Sequence, residues 1–124
     1  MSGDGRVLRA VRGAITVERN SADAIHEGTS ELLAEVLGRN DLTADDLVSI
    51  IFTATPDLTT EFPAVAARTM GLGSVPLLCA REIPVEGAMP LCVRVMLHCY
   101  CPVERQIRHV YLRDARQLRT DLPE

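Results

Sequence analysis

Arg94 stands in the middle of an alternating run, Leu91 to Cys101. Val93, Val95, Leu97, Cys99 and Cys101 would take one face of a strand, and Arg94, Met96, His98 and Tyr100 the other. A guanidinium among apolar neighbours is costly unless it meets an anion. Glu82 or Glu18 could be that anion in a salt bridge, or a bound carboxylate could fill the role. Arg12, in the turn-like Arg12-Gly13-Ala14 at the end of an apolar run, has the same two readings, and two such arginines make an anion pocket more credible than one. Glu82 follows the apolar stretch Pro76 to Ala80 and could accept a hydrogen bond from a ligand hydroxyl, act as a base, or partner an arginine. Cys79, three residues earlier, falls on the opposite face of an ideal strand and reads first as a small buried hydrophobe. The two converge only if the strand bulges or ends between them. His98, Cys99 and Cys101 suggest metal ligands, but the histidine points away from the cysteines and no second pair at finger-like spacing exists, so no metal is assigned. No serine sits in a nucleophile elbow, and Gly71 to Gly73 is a helix stop rather than a phosphate loop.

The elements that must position these side chains come from one chain of 124 residues, 47% hydrophobic and 24% charged, the profile of a single globular domain over residues 1–124. No apolar run approaches a membrane span, and the start of the chain lacks the features of a signal peptide, so a cytoplasmic location is expected. Without a secretory context Cys79, Cys92, Cys99 and Cys101 are expected as thiols. A net charge of −4 removes the broad positive field of a non-specific nucleic-acid binder. All 13 basic residues are arginine, which excludes Schiff-base lysine chemistry and leaves planar, always-charged forks suited to carboxylates or phosphates. They collect at the two ends. Acids outnumber arginine ten to two between Glu18 and Glu61, whereas eight arginines face six acids from Phe62 to Glu124, and Arg6, Arg9 and Arg12 stand against Asp4 in the first 17 residues.

Val7 to Val17 is rich in β-branched residues and reads as a strand, with Gly13 as a candidate bulge. From Ser21 to Leu37, Ile25, Leu32, Leu33, Val36 and Leu37 recur at helical spacing opposite Glu27, Glu31 and Glu35, with Asn20 or Ser21 as cap and Gly38 as stop. Thr43 and Asp46 form a capping box for a single turn before Leu47 to Thr55, a buried strand bounded by Pro56. A short helix over Pro63 to Met70 and strands over Val75 to Glu82, Leu91 to Cys101 and His109 to Leu112 complete an α/β (α+β) pattern. One long and one short helix cannot cover both faces of a mixed sheet of about five strands. A second subunit is the simplest cover for the other face.

Taken in order, RGAITVE (Arg12 to Glu18), ATPDL (Ala54 to Leu58), FPA (Phe62 to Ala64) with Arg68, VPLLCAREI (Val75 to Ile83), CVRVM (Cys92 to Met96) and IRHVYL (Ile107 to Leu112) resemble the AroH-class monofunctional chorismate mutases over nearly the whole chain. The resemblance implies a homotrimer forming a pseudo-α/β-barrel, with active sites in the clefts between subunits, and the rearrangement of chorismate to prephenate on the branch toward phenylalanine and tyrosine. By the same resemblance Arg12, Arg94 and Tyr111 hold the enolpyruvyl carboxylate, Arg94 also reaches the ether oxygen, and Glu82 and Cys79 meet the ring hydroxyl. Phe62, Ala64, Leu77 and Leu78 would line the wall, and Arg68, Leu118 and Arg119 would sit near the mouth. No metal, organic cofactor or covalent intermediate is implied, and neither nucleic acid nor membrane is a partner. Two positions depart from the family pattern: Val65 stands where a basic residue is common, and Leu78 where a wall threonine is expected. The alternatives are a trimeric imine deaminase of the Rid type, which also grips a carboxylate with an intersubunit arginine, and a non-catalytic sensor of an aromatic-pathway acid.

Overall fold

The computed structural model describes residues 5–119; Asp4, which entered the charge comparison, and the last five residues lie outside the described residues. The strands are β1 (Arg6–Thr16), β2 (Leu47–Ala54), β3 (Leu77–Arg81), β4 (Cys92–Pro102) and β5 (Val110–Leu112), and the helices are α1 (Ala22–Arg39) and α2 (Ala64–Thr69). They form one mixed sheet in the order β3-β2-β4-β1-β5. The central β4 runs antiparallel to β1 and β2, while β3 and β5 lie parallel to β2 and β1 at the edges. Short 3-10 turns at Ala44–Asp46 and Arg113–Leu118 complete the chain.

The alternation read in the sequence sets the two faces. Val93, Val95, Leu97, Cys99 and Cys101 of β4 are buried with Val11 and Ile15 of β1, Ile50 and Phe52 of β2, and Ile25, Leu32, Leu33 and Val36 of α1. Each fully buried aliphatic side chain contributes about 1.5–3 kcal/mol, so this single layer carries most of the stabilisation. The expected cap is present: the Ser21 hydroxyl accepts the Ala24 N–H at 3.1 Å. So is the capping box, in which the Asp46 carboxylate accepts the Thr43 N–H at 2.9 Å. Two glycines act otherwise than their sequence context predicts. Gly13 makes no bulge, for the β1–β4 register runs unbroken through Gly13 opposite Val95. A Cβ there would lie 3.1 Å from Leu32, Val36 and the Val110 carbonyl, so its small size lets α1 and β5 approach β1. Gly38 does not stop α1, which continues to Arg39; Asp41 takes the left-handed conformation at φ 52° instead. The reason lies in Asn40, whose buried amide donates to the Val36 carbonyl at 2.8 Å and the Arg108 carbonyl at 2.9 Å. Its oxygen accepts the Arg108 N–H at 2.7 Å, tying the helix end to the segment that leads into β5.

Among the described residues no α-helix packs against the opposite face of the sheet, where the Arg113–Leu118 turn covers one end. Leu8, Leu78 and Met96 are exposed there, with Leu78 at 60%.

Candidate active site

The register places a row of side chains across all five strands on that open face. Ala80 of β3 pairs with Thr53 of β2, Thr53 with Arg94 of β4, Arg94 with Ala14 of β1, and Ala14 with Tyr111 of β5. In the next row Ile51, Met96 and Arg12 are aligned, which puts Arg12 diagonal to Arg94. Because the residue between Arg94 and Tyr111 is only alanine, the space above it stays open. Arg12, Arg94 and Tyr111 line a cavity of about 400 Å³ there, together with Thr53, Leu118 and Arg119. Tyr111 and Leu118 pack on the small buried cluster Ala14, Cys92 and Ala115. The 3-10 turn over Arg113–Leu118 thus closes one end, and Arg113 holds the turn down through the Thr16 carbonyl at 3.1 Å and Glu31 at 2.8 Å.

Charge is unevenly satisfied within this cavity. Arg94 Nε, screened from solvent, lies 3.1 Å from Glu82 Oε2 as a charge contact without hydrogen-bond alignment. Among the described residues its two terminal nitrogens have no partner, and the side chain is 42% exposed. The Arg12 guanidinium likewise has no hydrogen-bond or ion-pair partner among the described residues, although its backbone N–H donates to His109 Nδ1 at 3.0 Å. That bond leaves the imidazole proton on Nε2. His109 is held below the usual histidine range by burial and by the positive charges of Arg12, Arg119 and Arg9, so it stays neutral beside the cations. Among the described residues Glu82 is the one carboxylate in contact with these arginines, so the cavity carries an excess of positive charge suited to an anion.

Glu82 lies just past the end of β3, where its N–H still donates to the Ala54 carbonyl at 3.0 Å. Two positions beyond Ala80, it keeps that residue's side of the sheet, the Arg94 side, while Cys79 stays on the other side with the register of Phe52. Burial raises the thiol of Cys92, beneath Ala14, to about 11, with Glu82 and Asp57 adding to the shift and Arg94 opposing it. Cys99 is likewise raised to about 11, chiefly by burial, so neither is a thiolate at neutral pH. Among the described residues no group of three His, Cys, Asp or Glu converges as metal ligands.

The remaining residues singled out in the sequence do not join this cavity within one chain. Cys79 and Phe62 line a separate cavity of about 330 Å³ with Pro56, Pro63 and Arg81. Ala64 is buried in α2, Leu77 packs against the core, and Leu78 and Arg68 face outward. Three contributors went unread: Thr53, His109 and the latch at Thr55 and Asp57. The period-two alternation that exposed Arg94 also puts Ser49, Ile51 and Thr53 on the open face of β2, so Thr53 was within reach. Asp57 accepts the Thr55 hydroxyl and the Leu91 N–H, the latter at 2.9 Å, and the Thr55 hydroxyl in turn accepts the Cys92 N–H at 3.0 Å. This latch anchors the start of β4 two residues before Arg94.

The family model described as chorismate mutase type I matches residues 8–122. The chain is 49% identical over 119 residues to a chorismate mutase AroH of Thermus thermophilus, covering 94% of this chain and 97% of that protein. It is 41% identical over 118 residues to the AroH of Bacillus subtilis (strain 168), covering 94% and 93%. Among solved structures, a chorismate mutase from Clostridium thermocellum superposes with a TM-score of 0.83 at 46% identity, covering 88% of this chain and 98% of that one.

Proposed function

The chain belongs to the type I chorismate mutases, and from that premise we propose how its residues carry the reaction. It is an isomerase that converts chorismate to prephenate in aromatic amino-acid biosynthesis, and neither the imine deaminase nor the sensor reading is favoured. The observation that carries the mechanism is the pair of arginines without terminal partners, Arg12 and Arg94, flanking one open cavity with Tyr111. Chorismate is a dianion. Arg12, Tyr111 and Arg94 hold its enolpyruvyl carboxylate, Glu82 meets the ring hydroxyl together with a neighbouring subunit's Cys79, and Leu118 and Arg119 close over the mouth. Arg68, Phe62, Ala64, Leu77 and Leu78 come from a neighbouring subunit, which supplies the wall that one chain does not assemble around its own cavity.

The reaction is a pericyclic shift: the ether carbon–oxygen bond breaks as a carbon–carbon bond forms, with no proton moved. Holding the extended substrate folded supplies part of the rate by removing the entropy of finding a reactive conformer. Negative charge grows on the ether oxygen as its bond stretches. A guanidinium already aimed there stabilises the transition state more than the ground state. The charge of Glu82 beside Nε draws the Arg94 guanidinium to this side and leaves its terminal nitrogens for that oxygen. A homotrimer with its sites between subunits, one catalytic domain per chain over residues 1–124 and a cytoplasmic site of action complete the proposal. The loss of chorismate absorbance on adding the purified protein tests the activity; an unchanged spectrum would overturn it.

A further inference from the structure

Thr53 belongs to none of the roles above, yet it touches the group that aims the catalytic arginine. Its hydroxyl donates to Glu82 Oε2 at 2.6 Å, and this same oxygen lies 3.1 Å from Arg94 Nε. The register explains the meeting: Thr53 sits directly between Ala80 of β3 and Arg94 of β4, one row from the point where the chain leaves β3 and delivers Glu82. Glu82 lies beyond the last residue of its strand, so the sheet ladder does not fix its side chain. Among the described residues only Thr53 and Arg94 hold that side chain. Glu82 Oε1 has no protein partner among the described residues and remains for a ligand. A hydroxyl has one proton, and here it is spent on Oε2, the oxygen beside arginine, which leaves Oε1 as the unbonded one.

We propose that Thr53 is a positioning residue for the rearrangement: by holding Glu82 Oε2 it keeps the carboxylate charge beside Arg94 Nε, steadies the guanidinium there and leaves Glu82 Oε1 for the substrate hydroxyl. The inference rests on the roles given above to Glu82 and Arg94. A methyl group of the same size at that position leaves the carboxylate free to rotate, so Arg94 meets the stretching ether oxygen in fewer of its orientations. Substrate still binds, because the carboxylate clamp of Arg12 and Tyr111 is untouched. The loss therefore falls on kcat.

The experiment is a mutant cycle on the full chain. Thr53→Val should lower kcat about 10-fold, the size of one hydrogen bond to a charged group, with KM changed less than twofold. Thr53→Ser, which keeps the hydroxyl, should restore kcat to within about twofold of the parent enzyme. In the Glu82→Ala background the Val substitution should cost nothing further, because its target is gone. If the two losses multiply instead, or if serine is as impaired as valine, Thr53 acts by packing and the inference fails. Should the valine variant not fold, Thr53→Ala enters the same cycle with the same criteria. Full activity of Glu82→Ala alone would overturn the role of Glu82, a result distinct from a Glu82 that matters and a Thr53 that does not.

Discussion

At the scale of single residues, Arg94 serves as both a salt-bridge partner and a free donor. Its ion pair to Glu82 engages only Nε, and its terminal nitrogens face the cavity. The sequence made the need for an anion legible, because a charge in an alternating apolar strand must meet one, but it left Glu82 and Glu18 as alternatives. It could not tell that the pairing would be partial, since that depends on where β3 ends. Thr53 was harder to see, because threonine is ordinary in a strand and its hydroxyl acquires meaning only from a carboxylate 29 positions away. If Arg94 acts on the transition state, Arg94→Ala should lower kcat by at least the ~10²–10³ lost with one oxyanion donor, and more because a full charge goes with it. Replacing Arg94 with citrulline, which is planar and neutral, should fail in kcat too. Arg68→Ala, whose side chain faces outward on α2, should raise KM with kcat largely kept, the signature of lost uniform binding. Identical patterns for Arg68→Ala and Arg94→Ala in steady-state kinetics would reduce Arg94 to a carboxylate clamp.

At the scale of elements, periodicity disclosed the two faces of β4, the inward stripe of α1 and the capping box before β2, all of which depend on local sequence. The misreadings at Gly13 and Gly38 share a cause: a glycine reports that something is close or a turn is needed, and only the fold says which. Asn40 is the clearest case, since two of its three side-chain hydrogen bonds reach 68 positions along the chain. Asn40→Ala would leave the Arg108 N–H and two carbonyls short of a partner in a buried place, at a cost of about 1–3 kcal/mol for the donor alone. A lower urea midpoint with an unchanged m-value should result. The same segment carries His109, whose ring accepts the Arg12 N–H and whose protonation is disfavoured in the folded protein. The folded pKa lies below the unfolded value near 6.5. The contribution of His109 is therefore fully present above about pH 6.5 and is lost as pH falls through the folded value, because the unfolded state then binds the proton more readily. His109→Asn, which keeps an acceptor but does not titrate, should flatten that part of the profile in urea titrations between pH 7 and pH 5. A profile as steep as the parent's would assign the pH dependence to another group.

At the scale of the whole molecule, one face of the sheet is packed by α1 and the other presents Leu8, Leu78 and Met96 around a half-walled cavity. Too few helices for five strands made this legible in the sequence, but the identity of the cover is not a property of one chain. A closed ring of three identical subunits would bury the face, and it should give a light-scattering mass of about three times 13.6 kDa at micromolar concentration. Mass alone does not say that the sites span subunits. Phe62, 67% exposed and remote from the Arg94 cavity in its own chain, supplies the sharper test. Arg94→Ala lacks the charge and Phe62→Arg lacks the wall, so each homotrimer should be nearly inactive. In a mixed ring, however, a site that takes Arg94 from one variant and Phe62 from the other is intact. Random reassembly of equal amounts places such pairs at about a quarter of the sites, by the symmetry of a cyclic trimer. Mixing the two inactive variants after mild dissociation should therefore recover about a quarter of the parent activity. If each site were built within one chain, both variants would carry only damaged sites and mixing would recover nothing.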